Sequence, residues 1–145
     1  MKVRVALDTN VLIDLLLEGR PGKEAAQQIV SAAQSGAIEA QVSTQSIIDA
    51  AYTCRKQGAN IQAFREAIRK MRTIVKISAI DWIDLAWALA HDSGDFEDDM
   101  QYASAYNSVC DYFITRDKAL QQLNDPYIPM TVITPKEFVK KMLAD

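Results

Sequence analysis

Soft and borderline metal ligands are scarce: the 145 residues include two cysteines and one histidine. Cys54 and Cys110 fall in different segments without metal-ligand spacing, which leaves no basis for a zinc site or a disulfide framework. They are expected to be small buried hydrophobes with reduced thiols. His91 has no identifiable partner for base catalysis and is expected at a helix end. No apolar run approaches the roughly eighteen residues of a membrane span, so no membrane partner is expected. Met1 is followed by Lys2-Val3-Arg4, not by an apolar leader core, and a cytoplasmic location is the expectation. Low-complexity segments, internal repeats and interdomain linkers are also missing, which predicts one domain over residues 1–145. Nor is there an excess of positive charge. A net charge of -3 argues against broad electrostatic attraction to nucleic acid, so any polynucleotide must meet a local basic patch.

What is present is an ordinary globular composition, 49% apolar and 24% charged, with alternating strand and helix patterns. Residues 2–8 alternate Val3, Val5 and Leu7, a strand signal, and Val11, Leu12, Leu15 and Leu16 then recur at helical spacing. A helix is predicted over 22–35, a strand over 38–43, and helices over 44–58 and 60–72, the last capped by Asn60. A strand over 73–78 and helices over 79–92 and 96–108 follow. Strands over 110–115 and 131–134 precede a final helix beginning at Pro135. Ile80, Ile83, Trp87 and Ala90 should share one face of the 79–92 helix, with Trp82, Trp87 and Tyr106 as core aromatics. Asp81 and Asp84 fit a solvated face. The alternation predicts an α/β fold, a three-layer α/β/α arrangement around a central parallel sheet of four to five strands.

In open α/β sheets the functional crevice lies outside the carboxyl ends of the strands. Asp8 ends the first predicted strand, Ser43 the second, and Thr115-Arg116-Asp117 follow the strand over 110–115. Asp49 lies one to two turns into the helix after Ser43. Asp92, Asp95, Glu97, Asp98 and Asp99 crowd into eight residues. Carboxylates gathered in one cleft repel, by roughly 4 kcal/mol for a pair about 4 Å apart at an effective dielectric near 20. A cation is expected among them. With oxygen ligands and few Cys or His, Mg2+ or Mn2+ is favoured over zinc.

Four segments in order, "LDTNVLIDLL", "VSTQSIIDAAYTCRK", "DFEDDMQYASA" and "DYFITRDKAL", make the chain resemble the PIN-domain ribonucleases, the fold of many bacterial toxin-antitoxin toxins. The resemblance implies a Mg2+- or Mn2+-dependent endoribonuclease with Asp8, Asp98 and Asp117 as metal-binding acids. It also implies RNA as substrate, an antitoxin protein as partner, and a homodimer. The helix acid after the second strand is usually Glu in this family; Asp49, one methylene shorter, stands at that position and would complete the shell, directly or through water.

Structural readings compete at each residue. Asp8 and Asp95 suit helix N-caps, and Asp117 suits a turn. Thr9 and Asn10 fit roles in orienting Asp8 or capping, and the hydroxyls of Ser43, Thr9 and Thr115 suit hydrogen bonds that hold carboxylates in place. Asp49, amid Ile47, Ile48, Ala50 and Ala51, would be costly if left unpaired. For RNA, Arg65, Arg69 and Arg72 recur along one helix face with Arg55-Lys56 upstream, a stripe of the kind that tracks phosphates, or a solvated face, or a surface for an acidic partner. Two other functions fit parts of the pattern. Asp8 at a strand end and Gly94-Asp95-x-x-x-Asp99 resemble motifs of haloacid-dehalogenase-type phosphatases, although Asn10 occupies the place of that family's general acid. A non-catalytic PIN-like module that binds RNA or protein is the second, supported by Asp in place of Glu at position 49.

Overall fold

The computed structural model describes residues 2–91 and 95–144; Asp92 and Gly94 of the acidic segment lie outside the described residues. Five parallel strands form one sheet in the order β3-β2-β1-β4-β5. These are β1 (Val3–Leu7), β2 (Ile38–Ser43), β3 (Lys76–Ser78), β4 (Tyr112–Ile114) and β5 (Thr131–Ile133). Helices α1 (Thr9–Leu16) and α2 (Lys23–Gln34) link β1 to β2, and α3 (Thr44–Lys56) and α4 (Ile61–Met71) link β2 to β3. Then α5 (Trp82–Ala90) and α6 (Phe96–Asn107) lead to β4, α7 (Lys118–Gln121) leads to β5, and α8 (Pro135–Phe138) runs into a π-helical turn (Val139–Leu143). Among the described residues, no helix is long and apolar enough to cross a membrane.

The period-two pattern of the strands explains the layers. Val5 and Leu7 of β1, Ile114 of β4 and Ile133 of β5 point to one face, where they meet Leu12 of α1, Ile29 of α2, Ala50 of α3, Met71 of α4 and Phe138 of α8. Ala6, Phe113 and Val132, one residue out of phase, point to the other face and meet Tyr102 and Ala105 of α6, Leu120 of α7 and Trp87 of α5. The three-layer prediction holds. Cys54 and Cys110 are both buried and free, as predicted.

Several local expectations do not hold. Strand β3 begins at Lys76, not Thr73, because the backbone amides of Ile74 and Val75 still bond to the Met71 carbonyl at the end of α4. The largest differences lie on α5. Trp82 is 74% exposed and Ile83 and Tyr106 are exposed, so of the three predicted core aromatics only Trp87 is packed inward. Asp84, expected in solvent, is 3% exposed. Its carboxylate accepts from the Asp81 amide at 3.0 Å in a capping box and from Asn107 Nδ2 of α6 at 2.8 Å. Two partners make burial of that carboxylate tolerable.

Candidate functional site

The strand order runs outward from β1 through β2 to β3, then jumps back to β4 on the other side of β1. The carboxyl ends of β1 and β4 therefore flank the switch point where doubly wound sheets open a crevice. Asp8 follows β1 and Thr115-Arg116-Asp117 follow β4, so the two segments face each other across this opening.

Asp8 is buried and serves both of its predicted roles of position: it ends the strand and caps α1. Its Oδ1 accepts from the Thr9 amide at 2.8 Å, and its Oδ2 from Thr115 Oγ1 at 2.7 Å and Asn10 Nδ2 at 3.0 Å. Thr115 Oγ1 in turn accepts from the Asp117 amide at 3.0 Å, and Asn10 Oδ1 from the Arg116 amide at 3.1 Å. Asn10 and Thr115 thus lock Asp8 to the β4–α7 turn. Asp117 caps α7 through the Ala119 amide at 2.9 Å, and Asp95 caps α6 through the Asp98 amide at 3.0 Å.

The acids feel one another. Burial raises the pKa of Asp8; hydrogen bonds from Thr115 and Thr9 oppose the shift, and the charges of Asp117 and Asp49 add to it. Asp98 is pushed up to about 7, first by burial, then by repulsion from Asp117, Asp95 and Asp8, with a side-chain hydrogen bond to Asp117. Crowding by Asp117, Asp95 and Asp8 thus works with burial to disfavour the charged form of Asp98. Asp49 is half-buried on α3, not sunk in the apolar patch, and is held by Gln45 Nε2 at 2.9 Å. Among the described residues, none of the ion pairs involves Asp8, Asp49, Asp98 or Asp117.

A second polar cluster steadies the other wall. Ser43 caps α3 by accepting the Ser46 amide at 3.0 Å and donates to Gln101 Oε1 at 3.0 Å. Thr9 Oγ1 donates to Ser46 Oγ at 2.9 Å, and Gln101 Nε2 donates to the same oxygen at 3.2 Å. Strand β2, α1, α3 and α6 are tied together at this point, so the hydroxyls of Thr9 and Ser43 act on the frame of the site and not on a carboxylate. Gln101 and Ser46 were not singled out as site residues, yet Gln101 lies three residues past Asp98 and Ser46 three before Asp49, spacings that share a helix face. Asp99 is buried and turned toward a cavity of about 490 Å³ that it lines with Trp87, His91 and Tyr102. The phosphatase register, which needs Asp95 and Asp99 beside Asp8, finds no support there.

Arg55, Lys56, Arg65, Arg69 and Arg72 are all exposed on α3, α4 and the residue that follows α4. Arg69 pairs with Glu66 of its own helix, and the Lys56 ammonium lies 5.8 Å from the Tyr52 ring. Among the described residues, no hydrogen bond or ion pair joins this stripe to the acid cluster.

The donor set is oxygen alone, which suits a hard divalent cation. Among the described residues, no three His, Cys, Asp or Glu side chains converge as a ready ligand shell, so the acids are electrostatic neighbours that would close further around an ion.

A parallel sheet with carboxylates at its switch point defines a class of α/β proteins, and the chain belongs within it to the PIN domain family, whose model matches residues 4–119. Comparison with curated protein sequences gives no match. Solved structures share the fold. The VapC20 toxin of Mycobacterium tuberculosis, which cleaves the sarcin-ricin loop, is 14% identical, with a TM-score of 0.65 over 81% of this chain and 93% of that one. VapBC2 of Rickettsia felis, bound to a DNA fragment from its promoter, is 10% identical, with a TM-score of 0.66 over 91% and 98%. FitAcB of Neisseria gonorrhoeae is 13% identical, with a TM-score of 0.63 over 91% and 98%.

Proposed function

We propose that this chain, as a single PIN-like domain over residues 1–145, is a divalent-metal-dependent endoribonuclease and the toxin half of a toxin-antitoxin pair. The observation that supports the reading is the mutual repulsion that links Asp8 to Asp49 and Asp117, and Asp98 to Asp8 and Asp117, with no cationic side chain among the described residues paired to any of the four. Asp8, Asp98 and Asp117 would hold Mg2+ or Mn2+, with Asp49 completing the set. Bound there, the ion supplies charge neutralisation on the phosphate oxygens and a more acidic water. The chain supplies the rest. Thr115 Oγ1 and Asn10 Nδ2 aim Asp8, and the crowding that raises the Asp98 pKa would be relieved by a cation among the acids. No side-chain nucleophile is needed.

Toxin-antitoxin assemblies among the structural neighbours support an antitoxin partner. The exposed apolar residues of α5, Trp82, Leu85 and Leu89, favour a homodimer. The test is cleavage of RNA by the purified protein, freed of any bound antitoxin, with and without chelator. Asp8→Asn preserves shape and the cap, and should abolish Mg2+- or Mn2+-dependent cleavage at little cost in stability. Wild-type cleavage by that variant would sink the assignment and favour a role as a binding module.

A further inference from the structure

Six residues past Asp8 on α1, Asp14 is fully buried, at 0% exposure. Its carboxylate accepts from Arg116 Nε at 2.5 Å and Nη2 at 2.9 Å, and from Arg20 Nε at 3.0 Å. The backbone closes over this pair at Gly22: a Cβ there would lie 2.0 Å from Asp14 Oδ2 and 3.2 Å from Arg116 Cδ. Arg116 stands between Thr115, which donates to Asp8, and Asp117. The turn therefore has two anchors on α1, its main chain on Asn10 and its guanidinium on Asp14, about 6 Å apart along the helix at 1.5 Å per residue.

Burying a carboxylate costs several kcal/mol, and apolar side chains of similar volume often stabilise as well or better. What apolar side chains do not supply is direction. A two-pronged guanidinium–carboxylate bond fixes both distance and plane. We infer that Asp14 and Arg116 are positioning residues: their bond sets the β4–α7 turn against α1 so that Thr115 and Asp117 stand in register with Asp8 for cation binding. This inference rests on the metal-binding reading of the acids. Sequence pattern gave no hint of it, since Asp14 sits in an apolar run and its partner is 102 residues away.

Calorimetric titration of the full chain with Mn2+ alone tests it, alongside melting curves and RNA cleavage. In the double variant Asp14→Leu/Arg116→Met the apolar pair should keep the chain folded. Its Mn2+ dissociation constant should nevertheless rise about 10- to 100-fold, the range for groups that orient ligands, and kcat should fall with little change in KM. Arg116→Lys, which keeps a cation but loses the fork, is the second variant, expected to melt near wild type and to bind Mn2+ measurably more weakly. Wild-type Mn2+ affinity in either folded variant overturns the positioning role while leaving the metal site intact. Absence of Mn2+ binding by the wild type itself refutes the metal reading, and this inference with it.

Discussion

Thr115→Val isolates one oxygen at the centre of the site. The two side chains have nearly the same shape, Thr115 is fully buried, and its hydroxyl makes three bonds, to Asp8 Oδ2 at 2.7 Å, from the Asp117 amide at 3.0 Å and from Asn10 Nδ2 at 3.1 Å, the last a donor that keeps Asp8 as a second acceptor. Hydrogen bonds to a charged group contribute about 1.5–3 kcal/mol, and an amide left without an acceptor costs about 1–3 kcal/mol. Asp117 is half-buried, so its amide can recover water and the lower end applies. The sum is about 2.5–4 kcal/mol. With a urea slope of about 2 kcal/mol per M, the unfolding midpoint should drop by about 1–2 M at pH 8. The sign with pH is fixed by Asp8. Its folded pKa is already raised, chiefly by burial, and the Thr115 bond is one of the two opposing it. Removing that bond disfavours the charged form further, so the deficit is greatest above the folded pKa and shrinks as both proteins become protonated at Asp8. A midpoint shift below about 0.3 M at pH 8, or one that grows on acidification, would show that Thr115 does not support the Asp8 carboxylate.

In the metal-free protein, Asp98 titrates near 7, far above the ordinary 3.8, so its stabilising contribution is complete below about pH 4 and is lost as pH rises toward 7. Denaturant curves between pH 5.5 and 8 should show that decline, and saturating Mg2+ should abolish it; a flat profile without metal contradicts the crowding of the acids. Saturation at about 100 times the dissociation constant should add roughly 2.7 kcal/mol, and a melting temperature indifferent to Mg2+ and Mn2+ would count against a metal site. Lengthening Asp49 to Glu should tighten Mn2+ binding in a direct titration if its reach falls short; unchanged affinity with lower stability would mark it as packing. Asp98→Asn should lose RNA cleavage while Asp99→Asn keeps it, with neither protein hydrolysing a small phosphomonoester; the opposite pattern would restore the phosphatase register.

The elements whose partners are local were legible. Strand β1 announces itself by alternation, and capping chemistry marks the starts of α1, α4 and α6 at Asp8, Asn60 and Asp95. The placing of Asp8 and of Thr115-Arg116-Asp117 at carboxyl ends of neighbouring strands followed from fold class plus the rule for strand ends, whereas Asp98, on α6, was reached through the family resemblance. Side choice on α5 was not legible. Trp82, Ile83, Leu85 and Leu89 are apolar around most of the helix, so periodicity cannot say which face meets α6. Besides its local capping-box bond to the Asp81 amide, Asp84 is held inward by Asn107, 23 residues away and invisible to periodicity. Tyr102 shows the same limit: four residues past Asp98, where helical spacing permits a shared face, it packs on the far core with Ala105 and Phe113 and lines the cavity of Asp99. One turn of helix spans both walls, and the sheet decides between them.

Two of the acids at this edge, Asp8 and Asp117, also begin helices, each accepting a backbone amide of the helix it starts. Asparagine fills that place about as well as aspartate, and the codons of the two differ by a single nucleotide. One transition in the gene can therefore silence such a site while the cap, the helix and the surface offered to other proteins all persist. On the proposed function, descendants disarmed in this way would still fold and still occupy a partner, and selection for that partnership could preserve them long after the chemistry was gone. Where an acid has no such second duty, as at Asp98, a comparable loss would leave the helix start untouched but remove a charge from the crowd, and drift there would be governed by repulsion alone.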